Sequence, residues 1–481
     1  MLKKKYLFII LMVFCQFSFC QDYTKAIEQA RFLINAHQNQ TRIPGVQVAV
    51  SIGDSIIWSE GFGYSDLDTK APVNSQTKFR IASVSKPSTS MALVRLVQEH
   101  KIDLDKQISH YLKDIPEVWR EITPRQLASS TSGIRHYNSE DPEYNQVNYP
   151  DVTSALERFR NNPLLFEPGT AYQYSSYGWV LLSAVMEKAS GQSFFEIMEN
   201  TWSDLGMLDT TFDYPYQNSD NASKFYIYDK KEGRIEAPQE NRSFMYAGGG
   251  YLSTTEDLVK AGRAILDKGY IDKEYIDELL SPQQLKNGSQ THYSLGWEVG
   301  TSRLHTPIVY HSGSMSTARS HLMIYPKEEV VVAYLSNTGD HVFFNAREAQ
   351  NIAELFVEAK RSTEPKGINP EVLVGEWEIS TTSLRGKKSD GILELSLDKN
   401  GIISGKIEFK RSRKTEPYPV VVTDIKNNQV HLVGVSPMFM DFYLNVDKGS
   451  FTGTWLHDFN VKGIPEDDEY WKPRVIEGKK L

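Results

Sequence analysis

The sequence predicts an α+β fold that is followed by a small antiparallel β-domain. Apolar and polar residues alternate over 45–58, and a Gly-Asp pair interrupts the run, which is typical of a β-hairpin. Apolar residues recur at helical spacing over 23–40 and again over 88–98, which predicts two helices. Beyond Val372 the pattern changes to short strands separated by turns, and this spacing indicates a small barrel or sandwich.

Length and composition are those of an ordinary globular chain with more than one domain. The protein has 481 residues, of which 40% are hydrophobic and 24% charged, so extended disorder is not indicated. The formal net charge of −8 argues against nucleic acid as a partner. The short basic run at 410–414 is most simply a solvated turn.

The first residues have the layout of a secretory signal peptide. Three lysines precede an apolar run at 6–14, and the small residues Ser18 and Cys20 precede a cleavage point before Gln21. The apolar run is too short for a comfortable membrane span, which argues against the alternative, an uncleaved amino-terminal anchor. We therefore expect a secreted or periplasmic protein whose mature chain has no transmembrane span.

Removal of this segment also removes both cysteines of the chain, Cys15 and Cys20. The mature protein would have no disulfide, no thiol nucleophile and no cysteine–metal cluster, so core packing must hold it together. No pair of histidines in the sequence has a recognised metal-ligand spacing. We expect a reaction that needs neither a metal nor a cofactor.

The first candidate for chemistry is a Ser-x-x-Lys motif, Ser83 to Lys86, at the start of a predicted helix. A spacing of three places both side chains on one helical face, so the amine can reach the hydroxyl. A desolvated lysine with a lowered pKa can take the serine proton, and N–H groups at a helix start favour negative charge on a reacting carbonyl oxygen. Pro87 suits the first turn of that helix. The alternative is a serine-rich helix start with an exposed lysine.

The second candidate is Tyr174, which precedes Ser175, Ser176 and an apolar helix that we expect to begin near Val180. One or two ammonium groups nearby would favour its phenolate, which could accept the serine proton and pass it to a leaving group. The alternative is a tyrosine that anchors a loop by its ring, and this stretch alone favours that alternative.

Two segments rich in small residues accompany these candidates. Thr123 and Pro124 begin a predicted helix that ends at Gly133, and His136 beyond it either faces a cleft or, more commonly for such a residue, is packed or solvated. Three consecutive glycines at 248–250 either let backbone approach a ligand closely or form a plain flexible turn.

The last candidate is the run His311-Ser312-Gly313-Ser314, which we place on a strand of the sheet. His311 could donate to a carboxylate or carbonyl of a substrate, and Gly313 would let a substrate chain lie alongside as an added strand. The N–H of Ser314 could pair with that of Ser83 to hold an oxyanion. The alternative for His311 is a core histidine with satisfied hydrogen bonds.

Together these motifs resemble a known family, the serine beta-lactamase-related hydrolases of the class C type, which includes D-alanyl-D-alanine carboxypeptidases, D-aminopeptidases and esterases. The resemblance runs from about Ile43 to Leu335. It follows the family order of motifs: Ser83-Val84-Ser85-Lys86, Leu127 through Gly133-Ile134, Tyr174-Ser175-Ser176, Ala247 to Thr254, and His311-Ser312-Gly313. The chain is most similar to the peptidase and esterase branch.

The resemblance implies a fold and a set of roles. The fold is a beta-lactamase/transpeptidase-like antiparallel sheet flanked by helices, with an all-helical region between its strands. Ser83 would be acylated, and Lys86 and Tyr174 would share proton transfer. His311 would occupy the third-motif position.

Two departures from the family pattern concern the substrate. The second motif of the family is usually Tyr-x-Asn and corresponds here to Tyr174-Ser175-Ser176. Ser176 stands in the place of the asparagine, and its hydroxyl reaches less far toward a substrate amide oxygen. His311 stands where the family often has a lysine, and at neutral pH a histidine supplies less positive charge. Both changes lower our expectation of beta-lactam hydrolysis and leave peptidase or esterase action open.

We divide the chain into a signal peptide (1–20), a catalytic domain (21–361), a linker (362–371) and a C-terminal domain (372–481). Further strands of the catalytic domain are predicted at 294–299, 321–325 and 330–335, and a closing helix at 346–360. Strands of the C-terminal domain are predicted at 373–379, 392–397, 402–409, 418–422, 430–435, 442–446 and 450–455. Its Gly-Glu-Trp and Phe-Thr-Gly-Thr-Trp segments are similar to lipocalin-like modules attached to such hydrolases.

We therefore expect a secreted serine hydrolase that acts on amide or ester bonds of a small-molecule or peptide substrate through a Ser83 acyl-enzyme. The alternative from another class is a penicillin-recognising binding or sensor protein without turnover, and a third is a scaffold that has lost catalysis. The sequence leaves open the substrate, the role of the C-terminal domain and the oligomeric state.

Overall fold

The computed structural model describes residues 22–138, 141, 147–215, 219–239, 241–267, 269–340, 346–361, 368–382, 386, 388–410, 416–436, 439–457 and 473–481. The predicted signal peptide, with Cys15 and Cys20, lies outside these residues. Most of the predicted linker at 362–371 and of the basic run at 410–414 also lies outside them.

The described chain contains both helices and strands throughout its first part. The helices are α1 (Thr24–Thr41), α2 (Ser85–Gln98), α3 (Pro124–Ala128), α4 (Ser176–Ser190), α5 (Phe194–Asp204), α6 (Tyr246–Gly249), α7 (Thr255–Leu266), α8 (Lys273–Leu280) and α9 (Ala346–Arg361). None of these described helices combines the length and the apolar character that a membrane span requires.

The strands fall into two groups along the chain. Those of the first part are β1 (Gly45–Ile52), β2 (Ser55–Asp66), β3 (Ala71–Pro72), β4 (Phe79–Arg80), β5 (Thr211–Phe212), β6 (Tyr226–Asp229), β7 (Gly233–Glu236), β8 (Tyr251–Ser253), β9 (Glu298–Thr301), β10 (Pro307–Met315), β11 (Ala318–Tyr325) and β12 (Val330–Ser336). Those of the last part are β13 (Gly375–Thr382), β14 (Lys388–Leu397), β15 (Ile403–Phe409), β16 (Tyr418–Lys426), β17 (Gln429–Val435), β18 (Phe439–Asp447), β19 (Ser450–His457) and β20 (Arg474–Lys480).

One antiparallel sheet forms the centre of the first part of the chain. In the described residues its strands lie in the order β3-β2-β1-β12-β11-β10-β9. β1 and β2 form the predicted hairpin, which is confirmed, and β1 also pairs with β12, where Val48 lies opposite Tyr334. Strands from the two ends of this region therefore meet, and α2 to α8 lie in the chain between them, as the resemblance implies.

The sheet separates two apolar cores. Successive residues of β12 point to opposite faces, so Val331 and Ala333 pack with residues of α2, α4 and α7, whereas Val330 and Val332 pack with residues of α1 and α9. The serine of the Ser-x-x-Lys motif immediately precedes α2. The candidate site therefore lies on the side of the first core.

Strands β13 to β20 form a closed antiparallel barrel in chain order, because β20 pairs with both β19 and β13. Side chains such as Trp377, Ile407 and Phe442 fill its interior. Seven of the strands correspond to predicted segments. The sequence does not predict β20, since Val475 and Ile476 are the apolar side chains in that strand.

The barrel packs against α1 and α9, on the face of the sheet away from α2. Ile402, Val421 and Val433 of the barrel share the second core with residues of these helices. The side-chain amide of Gln29 on α1 donates to the carbonyl oxygen of Val422 at 2.7 Å. The barrel thus covers helices that would otherwise expose apolar side chains.

Three predicted boundaries are wrong for local reasons. α3 is capped by the Thr123 hydroxyl, as predicted, but it ends before Gly133, since Ser130 adopts a left-handed φ of 59°. α4 begins earlier than predicted because the Ser175 hydroxyl caps it. The first half of the strand predicted at 294–299 is a turn, and only its end belongs to β9.

Candidate active site

Ser83 lies in a tight turn between the sheet and the helical region. Ala82 before it has a left-handed φ of 45°, which is a strained conformation for a residue with a side chain. The Ser320 hydroxyl on β11 donates to the carbonyl oxygen of Ile81 at 2.6 Å and so fixes the turn to the sheet. A Cβ atom on Gly313 of β10 would lie 2.5 Å from that same oxygen, so this close approach requires glycine.

Lys86 lies one turn further along and is completely buried, so the alternative of an exposed lysine is wrong. Its Nζ is 3.1 Å from Ser83 Oγ, 2.9 Å from Ser176 Oγ and 2.6 Å from the carbonyl oxygen of Gly248. Burial lowers the pKa of the amine well below its usual value. In the neutral form two N–H groups can donate to Gly248 and Ser176, and the lone pair is available to the Ser83 O–H.

Tyr174 packs beside this pair, with Nζ of Lys86 4.8 Å from the centre of its ring. Its hydroxyl is buried and lies near the hydroxyls of Ser83 and Ser176, but none of the described residues meets the geometry of a hydrogen bond to it. Burial raises the pKa of this phenol above its usual range, and this effect outweighs the lowering by the nearby Ser83 hydroxyl. The direction contradicts the expected phenolate, because an apolar surrounding favours the neutral phenol.

Gly248 contacts Lys86, and none of the sequence motifs predicts this contact. It lies in α6, and its carbonyl oxygen accepts from Lys86. A Cβ atom on Gly248 would lie 3.1 Å from the carbonyl oxygen of Ser176, so α6 approaches the start of α4 closely. The run of three glycines is the sequence signal for this approach, and Gly248 and Gly249 also line the cleft with Ser83.

His311 is buried and hydrogen-bonded through both ring nitrogens. Nδ1 donates to the carbonyl oxygen of Ser312 at 2.8 Å, so Nε2 accepts from the Tyr293 hydroxyl at 2.9 Å. Burial, with a smaller contribution from Lys86, lowers the pKa of this imidazole to about 3. The ring is therefore neutral, and its surroundings are those of the alternative interpretation, a core histidine with satisfied hydrogen bonds.

The structure brings some of the predicted site residues together and places others around them. Ser83, Lys86, Tyr174 and Ser176 form one contact group, and the ring of His311 lies 6.1 Å from that of Tyr174. The Ser312 hydroxyl is instead 2.9 Å from Nδ1 of His321. Ser314 is exposed and lines the same cleft as Ser83.

The cleft at Ser83 has a volume of about 290 Å³. Tyr137, Phe244, Met245 and Met315 contribute aromatic and apolar side chains to its wall. None of its described lining residues belongs to the barrel, so within the described chain the barrel does not cover it. Among the described residues, no group of three or more histidine, cysteine, aspartate or glutamate side chains is placed to hold a metal ion.

Comparison of the chain with known proteins shows to which family it belongs. The serine beta-lactamase-like protein LACTB, mitochondrial, of Mus musculus is 28% identical over 407 residues, which cover 64% of this chain and 74% of the relative. The octameric penicillin-binding protein homologue from Pyrococcus abyssi has a TM-score of 0.61 at 20% identity and covers 94% of this chain and 99% of its own. The D-amino acid amidase from Ochrobactrum anthropi SV3 has a TM-score of 0.59 at 20% identity, over 68% of this chain and 100% of its own.

The two solved structures show that the fold is shared, and the first of them extends over most of the chain. A family model described as Beta-lactamase matches residues 30–356, which is more than half of the chain. This range contains the Ser83 turn, the second-motif segment and the third-motif strand. The protein therefore belongs to the beta-lactamase family.

Proposed function

We propose that this protein is a serine hydrolase that cleaves amide or ester bonds through an acyl-enzyme at Ser83. The observation that carries the proposal is the contact of 3.1 Å between Ser83 Oγ and the buried Nζ of Lys86. A hydroxyl becomes a strong nucleophile only when a neighbouring group takes its proton. Burial lowers the pKa of Lys86, so its amine loses its proton at a lower pH than an ordinary lysine and can take the proton of the serine.

The proposed reaction has two halves. Ser83 Oγ attacks the substrate carbonyl carbon while its proton moves to Lys86, and the N–H groups of Ser83 and Ser314 hold the oxyanion. The C–N or C–O bond then breaks, and the leaving group takes a proton that returns from Lys86 through the phenol of Tyr174. Water then attacks the carbonyl carbon of the Ser83 ester and gives a proton to the same amine. The bond between that carbon and Ser83 Oγ breaks, the proton passes from Lys86 to Oγ, and the acid is released.

The raised pKa of Tyr174 supports its place in this scheme as a proton donor. A neutral phenol gives a proton to a leaving group and receives one from the ammonium of Lys86 in the same step. A phenolate would instead compete with the amine for the Ser83 proton. Nζ of Lys86 lies 4.8 Å from the centre of the Tyr174 ring, so the phenol is beside the amine whose proton it would pass on.

The neutral imidazole of His311 supports a preference for substrates whose binding does not need a positively charged side chain at the third-motif position. A neutral imidazole with both nitrogens hydrogen-bonded offers little attraction to a free carboxylate. Amides and esters with an apolar acyl group suit the aromatic and methionine side chains of the cleft wall better. The fold shared with a D-amino acid amidase is in keeping with such substrates.

A fluorophosphonate probe and a substrate panel test the proposal. We expect the probe to label the wild-type protein and not Ser83→Ala, and we expect turnover of p-nitrophenyl esters or D-amino acid amides that Ser83→Ala abolishes. Labelling of Ser83 without turnover of any ester, amide, peptide or cephalosporin would favour the penicillin-recognising sensor. Undiminished hydrolysis by Ser83→Ala would refute the proposal.

We also propose that the protein is exported after cleavage before Gln21. The lysines, apolar run and small residues of the first twenty positions support this. Amino-terminal sequencing of the protein recovered from its native cells should begin at Gln21. Recovery of intact protein with Met1 inside the cytoplasm would contradict it.

A further inference from the structure

The segment that carries Tyr174 has no helix or strand of its own before α4 begins. It is held by the loop 129–137, which follows α3. The N–H of Gln173 donates to the carbonyl oxygen of Ser130 at 3.0 Å, and the N–H of Ser175 donates to the Ser130 hydroxyl at 3.3 Å. The Ser175 hydroxyl in turn donates to the carbonyl oxygen of Arg135 at 2.9 Å. The position of the phenol therefore depends on this loop.

The last contact in this series uses a histidine side chain. The backbone N–H of Ser176, the first residue of α4, donates to Nδ1 of His136 at 3.1 Å. Because Nδ1 accepts here, it carries no proton in this arrangement. The imidazole ring also lies edge-on to Tyr174, with ring centres 5.4 Å apart, and it lines the cleft with Ser83. His136 thus contacts both Tyr174 and Ser176.

We propose that His136 is a positioning residue for acyl transfer, which fixes the Tyr174–Ser176 segment against Lys86 through the acceptor nitrogen Nδ1. Ser176 Oγ is 2.9 Å from Nζ of Lys86, so a shift of the first turn of α4 moves a direct contact of the base. The inference rests on the proposed function and adds a residue outside its catalytic group. It predicts that an acceptor at the Nδ1 position is required, and not an imidazole as such.

Three substitutions of His136 separate the role of its hydrogen-bond acceptor from that of the imidazole ring. His136→Ala removes both. His136→Asn places an amide oxygen close to the Nδ1 position, whereas His136→Gln places its amide further out, near the Nε2 position. We expect His136→Ala and His136→Gln to lower kcat for a p-nitrophenyl ester by about 10- to 100-fold with little change in KM, since misplacement of catalytic groups by about 1 Å has effects of this size. His136→Asn should recover most of the loss.

The exposed His110 supplies the control, because His110→Ala removes an imidazole far from the second motif in sequence and should leave kcat unchanged. Melting temperatures report folding. Should His136→Ala not fold, the comparison of the Asn and Gln variants, whose amides differ only in reach, decides the question. The inference is overturned if Asn recovers no more activity than Gln, or if all three variants retain wild-type kcat.

Results that refute the proposed function differ from those that refute only the role of His136. If Ser83→Ala remained fully active, or if wild-type Ser83 did not react with the fluorophosphonate probe, the acyl-enzyme and the positioning role of His136 would both be wrong. If Ser83 is labelled but no substrate turns over, the labelling rate replaces kcat as the measurement. The same order, Asn faster than Gln and Ala, is then expected, and equal rates would exclude the role.

Discussion

Lys86 and Tyr174 have pKa values that burial moves in opposite directions, and both movements favour the uncharged form. Burial lowers the pKa of the amine and raises that of the phenol. An apolar surrounding disfavours a charge of either sign, so the same cause explains both shifts. For the proposed reaction, the site would then offer a base and an acid at once, each in the protonation state that its step requires.

The role of the amine can be separated from its volume by Lys86→Met. Methionine fills a similar space in the core but has no lone pair that takes a proton. We expect kcat/KM for an amide substrate to fall by about 10²- to 10⁴-fold, the range of general base catalysis. The melting temperature should be retained, because the substitution also removes a buried polar group. Fluorophosphonate labelling at the wild-type rate would contradict this role for Lys86.

The pH dependence of the reaction follows from the same two shifts. The proposed reaction requires neutral Lys86, so kcat/KM should rise with pH through the lowered pKa of that amine and be on its plateau below the usual lysine value of about 10.4. The plateau should continue past about pH 10, where an ordinary tyrosine ionises, because the pKa of Tyr174 is raised. Amide hydrolysis measured across this range, corrected for the uncatalysed rate, tests it. A fall in rate centred near the usual tyrosine value would show that Tyr174 is not perturbed.

At the scale of elements, the close packing of β10 holds the Ser83 turn in its conformation. A Cβ atom on Gly313 would lie 2.0 Å from Ser320 Oγ and 2.5 Å from the carbonyl oxygen of Ile81. We expect Gly313→Ala to separate strand and turn and to lower kcat by at least about tenfold. Gly300→Ala on β9 is the matched control, because a Cβ atom there meets nothing within 4 Å.

Steady-state kinetics and thermal melting of the two glycine variants give the comparison. Equal activities in Gly313→Ala and Gly300→Ala would show that the turn does not depend on this contact. Loss of folding in Gly313→Ala alone would still locate the strain at this position. In that case the kcat of the fraction that remains folded at low temperature is the deciding measurement.

Elements with a strong local pattern could be predicted from the sequence, whereas contacts between distant segments could not. The hairpin of β1 and β2, α9 and seven strands of the barrel follow from periodicity and turn residues. The partners of Lys86 come from segments far apart in the chain, so its contact with Gly248 depends on how α6 packs. The hydrogen bond between Nε2 of His311 and the Tyr293 hydroxyl likewise joins two segments that no motif connects.

At the scale of the whole molecule, a buried carboxylate joins the barrel to the sheet and helices. Asp441 on β18 lies 2.7 Å from Arg303 and 2.9 Å from Arg347 of α9, and its Oδ1 is 2.9 Å from Nε2 of His431. Burial by itself raises the pKa of this carboxyl, but Arg303, His431 and Arg347 together lower it, and the net direction is downward. The two arginines precede the barrel in sequence, so this carboxylate connects the two parts directly.

Asp441→Asn tests how strongly that connection holds the molecule together. The substitution removes the carboxylate that two partly buried guanidinium groups share. Loss of one partner of a buried ion pair typically costs about 3–5 kcal/mol, and because Arg303 keeps its ion pair with Glu354 at 2.6 Å we expect the lower end of that range. Asp424→Asn on β16 is the control, because its ion pair with Lys426 is partly exposed to solvent and such pairs contribute about 0–1 kcal/mol. Urea unfolding followed by tryptophan fluorescence should therefore show a much lower midpoint for Asp441→Asn than for Asp424→Asn.

The sign of the pH effect provides an independent check on Asp441. A carboxyl whose pKa is lowered in the folded state stabilises the protein above its unfolded pKa of about 3.9, and this contribution is lost as the pH falls through the folded value. A difference in unfolding free energy between wild type and Asp441→Asn should then persist from pH 8 to about pH 5 and be lost only below about pH 4. If the difference in unfolding free energy disappeared near neutral pH, another group would be responsible for it. If the urea midpoints of Asp441→Asn and Asp424→Asn were equal, apolar packing against α1 and α9 alone would join the barrel to the rest of the chain.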